Sequence, residues 1–304
     1  MSSRKIIPPY LKKGDEVAII SPSFAIDEDK LQSAVPLLES WGLKVRTGAN
    51  VLKREGPFAG SDEERLADLQ AMTSDTSIKA VFFSRGGYGM LKIIDRVDFP
   101  VLRKHPKWFI GFSDITVLHL WLNSIYGVVS VHGEMPLNYN NPSKSQETFS
   151  SLHGLLFGLP VDISWRGEVI RPANAEGEIV GGNLSLIFSL IGTKGEPDTT
   201  GKILFIEDVG EYYYHLDRIM TSLKLAGKLE RLAALVVGGM NKMQETSVPW
   251  GKSHQEIISD VVSGYDYPVF YDFPSGHIDD NRAFYIGKRA IITSDGKASS
   301  LKFV

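Results

Sequence analysis

Through residues 1–157 the chain alternates short apolar runs with stretches of helical period, the habit of a parallel sheet covered by helices. Residues 17–21 open it as a strand. Leu31, Ala34, Val35, Leu38 and Trp41 then recur at helical spacing, and Gly42 stands where a left-handed C-terminal cap is wanted. Val45 starts a second strand. Ser61-Asp-Glu-Glu64 reads as a capping box opening a helix that carries Leu66, Leu69 and Met72. Residues 80–84 are a continuous apolar strand running into Arg85-Gly-Gly-Tyr-Gly89 and a helical pattern at 90–94. Residues 108–111 form another strand, ending in Phe112-Ser113-Asp114 ahead of a helical face of Ile115, Leu118 and Leu122. A strand at 128–131 and a helix at 146–157 complete an α/β domain over 1–157.

Between 158 and 174 neither period is sustained; Gly-Leu-Pro, Trp-Arg-Gly and Arg-Pro-Ala follow one another, as in a linker between domains. A second domain of mixed β/α character is expected over 175–304. It starts with a strand at 179–183 and a helix at 184–190. Strands at 203–206 and 235–237 follow, with a helix from Tyr213 between them. Ser253-His-Gln-Glu256 is a second capping box, opening a helix with Ile257, Val261 and Val262, and short strands and turns fill 284–304. Two domains suit a chain of 304 residues.

Charge narrows the partners. With 33 basic and 36 acidic residues the formal charge is −3, which gives no general attraction to phosphate backbones or anionic lipid, so neither nucleic acid nor membrane is expected. Cysteine is absent, which removes disulfides, a thiolate nucleophile and thiolate-held metals. The N-terminal stretch breaks at Pro8-Pro9 before an apolar signal region can form, and no run approaches the roughly 18 apolar residues of a membrane span, so a cytoplasmic protein is expected.

In an open parallel sheet ligands gather at the carboxyl ends of the strands, and both the Ser113 turn and the 85–89 turn lie there. A serine on a sharp strand-to-helix turn is exposed, and the next amide, that of Asp114, can face an oxyanion; the same serine could instead be a helix N-cap. Gly-Phe-Ser-Asp lacks the second glycine of the usual Gly-x-Ser-x-Gly turn. The 85–89 stretch reads equally as an anion-binding nest or a plain tight turn. It has neither Walker nor Gly-x-Gly-x-x-Gly spacing.

A hydroxyl active at neutral pH needs a base, and His277 stands out among seven histidines because Phe273-Pro-Ser-Gly-His277 is a polar, turn-rich loop after a strand. His119, His153 and His254 fall in helical patterns. Glu207 and Glu211, at the end of an apolar strand, are the acidic candidates, with capping or ion pairing as the plain alternative. His132 with Glu134, and His277 with Asp279 and Asp280, offer donors for a metal, without any established ligand spacing.

Taken jointly and in order, Arg-Gly-Gly-Tyr-Gly89, Gly-Phe-Ser-Asp-Ile-Thr116, Ile-Glu-Asp-Val-Gly-Glu211 and Phe-Pro-Ser-Gly-His277 resemble the LD-carboxypeptidase family of serine peptidases, which includes the microcin C self-immunity peptidases. The likeness runs from Gly14-Asp15 to about Gly287. It implies a flavodoxin-like N-terminal domain, a mixed second domain and an active site at their interface. It further implies Ser113 as nucleophile, His277 as general base, Glu207 as the residue orienting the imidazole, and the amides of Gly86 and Asp114 as oxyanion hole. No cofactor or metal is needed, and a homodimer is implied. The implied substrate is a murein tetrapeptide, cut between a dibasic residue and its terminal D-alanine in cell-wall recycling, with Arg85 and Gly87 as candidate substrate-binding residues. An acyl-adenylate substrate of the microcin type would need a surface that stacks a base, for which Trp165 and Trp250 are candidates. A two-domain ligand-binding module without turnover is the alternative from another class.

Overall fold

The computed structural model describes residues 5–304; the first four residues of the N-terminal stretch lie outside the described residues. The chain divides into two compact units, Met1–Pro160 with Asp279–Gly287, and Val161–Ile278 with Lys288–Val304.

The first unit is built on β1 (Glu16–Ile20), β2 (Lys44–Thr47), β3 (Ile78–Phe83), β4 (Trp108–Gly111) and β5 (Ser130–His132), all parallel in the order β2-β1-β3-β4-β5. Its helices are α1 (Glu28–Ser40), α2 (Asp62–Ser74), α3 (Thr116–Trp121) and α4 (Gln146–Phe157). The central strands are apolar throughout because helices cover both faces; Val17 to Ile20, Ala80 to Phe83 and Trp108 to Ile110 are fully buried. The chain runs outward from β1 to β2 and then returns past β1 to β3, so strand order reverses between β1 and β3. The loops leaving their carboxyl ends therefore flank the crevice where such sheets take ligands. The flavodoxin-like order expected from the family resemblance is the one found.

The 61–64 capping box is present in full: Ser61 Oγ accepts from the Glu64 amide and the Glu64 carboxylate from the Ser61 amide. Two local expectations differ. Residues 90–94 are not an α-helix but isolated 3-10 turns, Met90–Lys92 and Ile94–Arg96, because Ile93 between them sits at φ −126°, outside the helical region. The face of α2 turned to the core holds Arg65 and Asp68 beside Leu69 and Met72, while Leu66 is only half-buried. Each buried charge is held by the backbone or side chain of a neighbouring loop, Asp68 by the amide and side chain of Asn50.

The second unit has β6 (Ile163–Arg166), β7 (Val169–Ile170), β8 (Ala175–Asn183), β9 (Ile203–Val209), β10 (Ala234–Asn241) and β11 (Val269–Phe270), with α5 (Leu184–Ser189), α6 (Tyr213–Leu225) and α7 (His254–Val261). After β12 (Phe284–Ile286) come β13 (Arg289–Ser294) and β14 (Ala298–Phe303). The sheet order is β6-β14-β13-β8-β9-β10-β11-β7, with β8 to β11 parallel and the remaining pairs antiparallel. This is the mixed β/α character expected of the second half. The capping box at 253–256 is present in full.

The division of the chain differs from the linear one read in the sequence. Residues 158–174, expected as a linker, contain β6 and β7, which are too short for either period to register. Residues 279–287, expected in the second domain, belong to the first unit, where β12 pairs antiparallel with β5. Tyr285 stacks on Trp108 there and its hydroxyl donates to the Leu155 carbonyl at 2.6 Å. A three-residue apolar run carries no local mark of which sheet it will join. Among the described residues no helix is long and apolar enough to cross a membrane.

Candidate active site

In the first unit, β4 delivers the chain through Gly111 and an extended Phe112 to Ser113, whose φ is 62°. For a residue with a Cβ that left-handed conformation costs roughly 1–2 kcal/mol, so neighbours must impose it. They do so on both sides. The Gly111 carbonyl accepts from His119 Nε2 at 2.8 Å, and a side chain at 111 would fall 2.9 Å from that of Ile115. Asp114, fully buried, accepts from Ser23 Oγ at 2.5 Å and from the Met90 amide at 2.8 Å. Burial pushes the Asp114 carboxyl up to about 6 against the pull of Ser23, the Met90 amide and the Arg65 charge. Burial likewise lowers His119 to about 4, so at neutral pH its ring is a neutral donor to the Gly111 carbonyl. Ser113 is not the N-cap of the turn: that position is Phe112, and no side chain caps it.

The glycine loop after β3 lies against this turn. A Cβ on Gly86 would stand 2.8 Å from Ser113 Cβ, 2.9 Å from its Oγ and 3.4 Å from the Asp114 amide nitrogen. A side chain at 86 would thus fill the space beside the Ser113 hydroxyl, which glycine leaves clear next to the Asp114 amide. Gly87 has φ 113°, and a side chain there would overlap Phe24. Arg85 donates to the Ala25 carbonyl at 3.1 Å and lies over the Phe24 ring, so this guanidinium helps hold the loop after β1.

In the second unit β9 carries Glu207, fully buried, beneath the loop that follows β11. Gly276, at φ 113°, lets that loop close on the carboxylate: a Cβ there would meet Glu207 Cβ and Oε2 at 2.9 Å. His277 Nδ1 donates to Glu207 Oε2 at 2.7 Å, the His277 amide lies 3.3 Å from the same oxygen, and the His277 carbonyl accepts from Asn241 Nδ2 at 2.9 Å. A carboxylate that takes Nδ1–H leaves the lone pair on Nε2, the tautomer of a general base. Each unit therefore brings its own part of the expected site together: Gly86, Ser113 and Asp114 in the first, Glu207 and His277 in the second.

Models of two domains of one family match the chain, the LD-carboxypeptidase N-terminal domain over residues 17–133 and the LD-carboxypeptidase C-terminal domain over 176–292. The "Probable murein peptide carboxypeptidase" of Bacillus subtilis (strain 168) is 36% identical over 300 residues, 97% of this chain and 94% of that protein. The chain belongs to the LD-carboxypeptidase family. The "Murein tetrapeptide carboxypeptidase" of Pseudomonas aeruginosa is 32% identical over 91% of this chain and 92% of its own. Among solved structures, the muramoyltetrapeptide carboxypeptidase from Oxalobacter formigenes superposes with a TM-score of 0.87 at 30% identity, covering 95% of this chain and 98% of its own. The microcin C7 self immunity protein MccF in complex with aspartyl sulfamoyl adenosine superposes at 0.89 over 98% of each chain; at 20% identity it shows a shared fold.

Other candidates in this LD-carboxypeptidase chain have different surroundings. Glu211 is paired with His215, so the two acids near the end of β9 face two different histidines. His132 stacks on Phe284, and Glu134 is buried against Lys144 (2.7 Å), the Met135 amide, Asn138 and Asn281. Asp280 pairs with Arg282 and accepts from Ser145, while the Asp279 carbonyl accepts from the Ser145 amide. Trp165 is buried, donates to the Tyr271 carbonyl and packs against Phe270 and Phe273, which makes it a core anchor; Trp250 is partly exposed. Sequence reasoning missed Ser23, Arg65 and Asn241, and had Gly276 only as part of Phe-Pro-Ser-Gly-His277. Of the three missed, Arg65 left a trace, a charge in phase with Leu69 and Met72 on the apolar face of α2.

Proposed function

We propose that this protein is a serine-type LD-carboxypeptidase that removes the terminal D-alanine of murein tetrapeptides, with Ser113, His277 and Glu207 as its catalytic triad. The observation that carries the reading is the left-handed Ser113 beneath a glycine that leaves its hydroxyl open. Full-length relatives named for murein peptides support the substrate. His277 Nε2 takes the hydroxyl proton as Ser113 Oγ attacks the scissile carbonyl, and Glu207 stabilises the imidazolium through Nδ1. The amides of Gly86 and Asp114 receive the oxyanion, His277 returns the proton to the leaving amine, and water releases the acyl group. Arg85 and Gly87 remain part of the proposal as the rim that meets the substrate's terminal carboxylate. Burial of Trp165 removes one candidate for stacking an adenine and leaves the muropeptide the better-supported substrate.

The test is release of D-alanine from a muropeptide tetrapeptide, with a pentapeptide and an aminoacyl adenylate as comparators. Ser113→Ala is expected to keep fold and binding while losing at least about a thousandfold in turnover. Undiminished turnover, or turnover abolished by a chelator, would remove the serine mechanism. A homodimer, which the family resemblance implies, and a cytoplasmic location are part of the same proposal, and light scattering and cell fractionation check them.

A further inference from the structure

Two buried charges of the first unit have no place in the chemistry above, yet grip the loops that build it. Arg65 on α2 is 1% exposed, and its Nη1 donates to the Pro22 carbonyl at 2.5 Å and the Gly89 carbonyl at 3.1 Å. The Asp114 carboxylate takes Ser23 Oγ and the Met90 amide. The cation thus holds Pro22 and Gly89 by their carbonyls, and the anion holds the next residue of each loop, Ser23 and Met90, by its donor. Beyond the Ser84 N to Ile20 O bond of 2.8 Å at the strand ends, the backbone tie seen between those loops among the described residues is Phe24 N to Gly86 O at 3.4 Å, at the long limit of a hydrogen bond. Gly89 makes the grip possible: at φ 150° it brings its backbone so close that a Cβ would lie 2.6 Å from Arg65 Nη1.

We propose that Arg65 and Asp114 are positioning residues, a two-sided clamp that holds the Gly86 loop in register with the Ser113 turn and so sets the geometry of the oxyanion site. The inference rests on the serine reading above. Stability alone is a poor account of the pair. Burying a guanidinium and a carboxylate is costly, and apolar side chains of similar volume often stabilise as well or better. Here the satisfaction is also incomplete: Arg65 Nε and Asp114 Oδ1 are buried without a partner among the described residues. Paired directional contacts fix relative position along two loops, which packing alone does loosely, and a displacement near 1 Å at a reacting centre can cost on the order of a hundredfold.

The experiment uses the full-length protein with Arg65→Met, Asp114→Ala, Asp114→Asn and Ser23→Ala. It measures kcat and KM on the tetrapeptide, the rate and end-point of Ser113 labelling by a fluorophosphonate probe, and thermal stability. Rates are expressed per site labelled at the end-point, so that unfolded protein does not count. Arg65→Met and Asp114→Ala are expected to lower kcat about a hundredfold with KM held within about threefold, and to slow labelling in proportion. Asp114→Asn, which keeps an acceptor oxygen, should recover part of both rates. Lower melting temperatures with kcat and labelling rate unchanged per site would overturn the clamp. Should Arg65→Met fail to fold, Arg65→Lys, which keeps the charge but loses the forked donors, tests that arm, while Ser23→Ala and Asp114→Asn both weaken the Asp114 arm. An inactive Ser113→Ala alongside fully active clamp variants overturns this inference alone. Full turnover in Ser113→Ala overturns the serine reading beneath it.

Discussion

At the scale of single residues, the site depends on what is missing as much as on what is present. Gly86 does not occupy the left-handed region, so alanine there meets no backbone penalty, only the Ser113 side chain 2.8 Å away and the closing of the space above its hydroxyl. Gly86→Ala is therefore expected to lower kcat/KM at least about a hundredfold and, because the Ser113 Cβ must give way, to lower the melting temperature as well. Equal activity would mean that substrate does not approach over this glycine. Ser113 itself was legible as a serine on a strand-to-helix turn, and His277 as a histidine in a polar loop. Their partners were less so. Ser23, at the end of an apolar run, carries no sign in its neighbours that its hydroxyl will meet a carboxylate 91 positions later.

At the scale of the element, the Ser113 turn and α3 contain two titrations of opposite sign. Asp114 ionises near pH 6 when folded against an ordinary 3.8, so its contribution to stability is full below about pH 4 and lost as pH rises through 6. His119 is held neutral down to about 4 against an ordinary 6.5, so its contribution is full above about 6.5 and lost as pH falls through 4. Over pH 4–6 the two slopes oppose each other. In Asp114→Asn only the His119 slope is left. The melting temperature of that variant, relative to wild type, should climb as pH is raised from 4 to 6, measured by scanning calorimetry; parallel profiles would show that Asp114 is not displaced from its usual range. Elements closed by local chemistry were readable in advance. Both capping boxes are satisfied within four residues, whereas the 90–94 stretch looked helical by spacing and is broken because Ile93 leaves the helical region.

At the scale of the whole molecule, the first unit is discontinuous in sequence. Asp279–Gly287 supplies β12, the Tyr285 hydroxyl bond to Leu155, and Asn281, whose side chain donates to the buried Glu134 at 3.1 Å. Residues 1–160 alone would leave the β5 edge unpaired and the Glu134–Lys144 pair short of a donor, which is costly in a buried network. That fragment is expected to unfold without a cooperative transition, and a flexibly linked copy of residues 279–287 to restore one in urea titration. Equal cooperativity in both forms would show that the segment adds nothing the fragment lacks.

The sequence by itself determined the parallel first sheet, the mixed second one and the two capped helices, because periodicity and capping are properties of neighbouring residues; it offered the serine, the histidine and two glutamates only as candidates, which the resemblance to the family narrowed. Only tertiary structure decided that 279–287 belongs to the first unit, that Glu207 and not Glu211 takes His277, and that Arg65 and Asp114 grip the same two loops. Those are pairings between distant parts of the chain, chosen by which buried polar groups can satisfy one another, and no run of adjacent side chains encodes that choice.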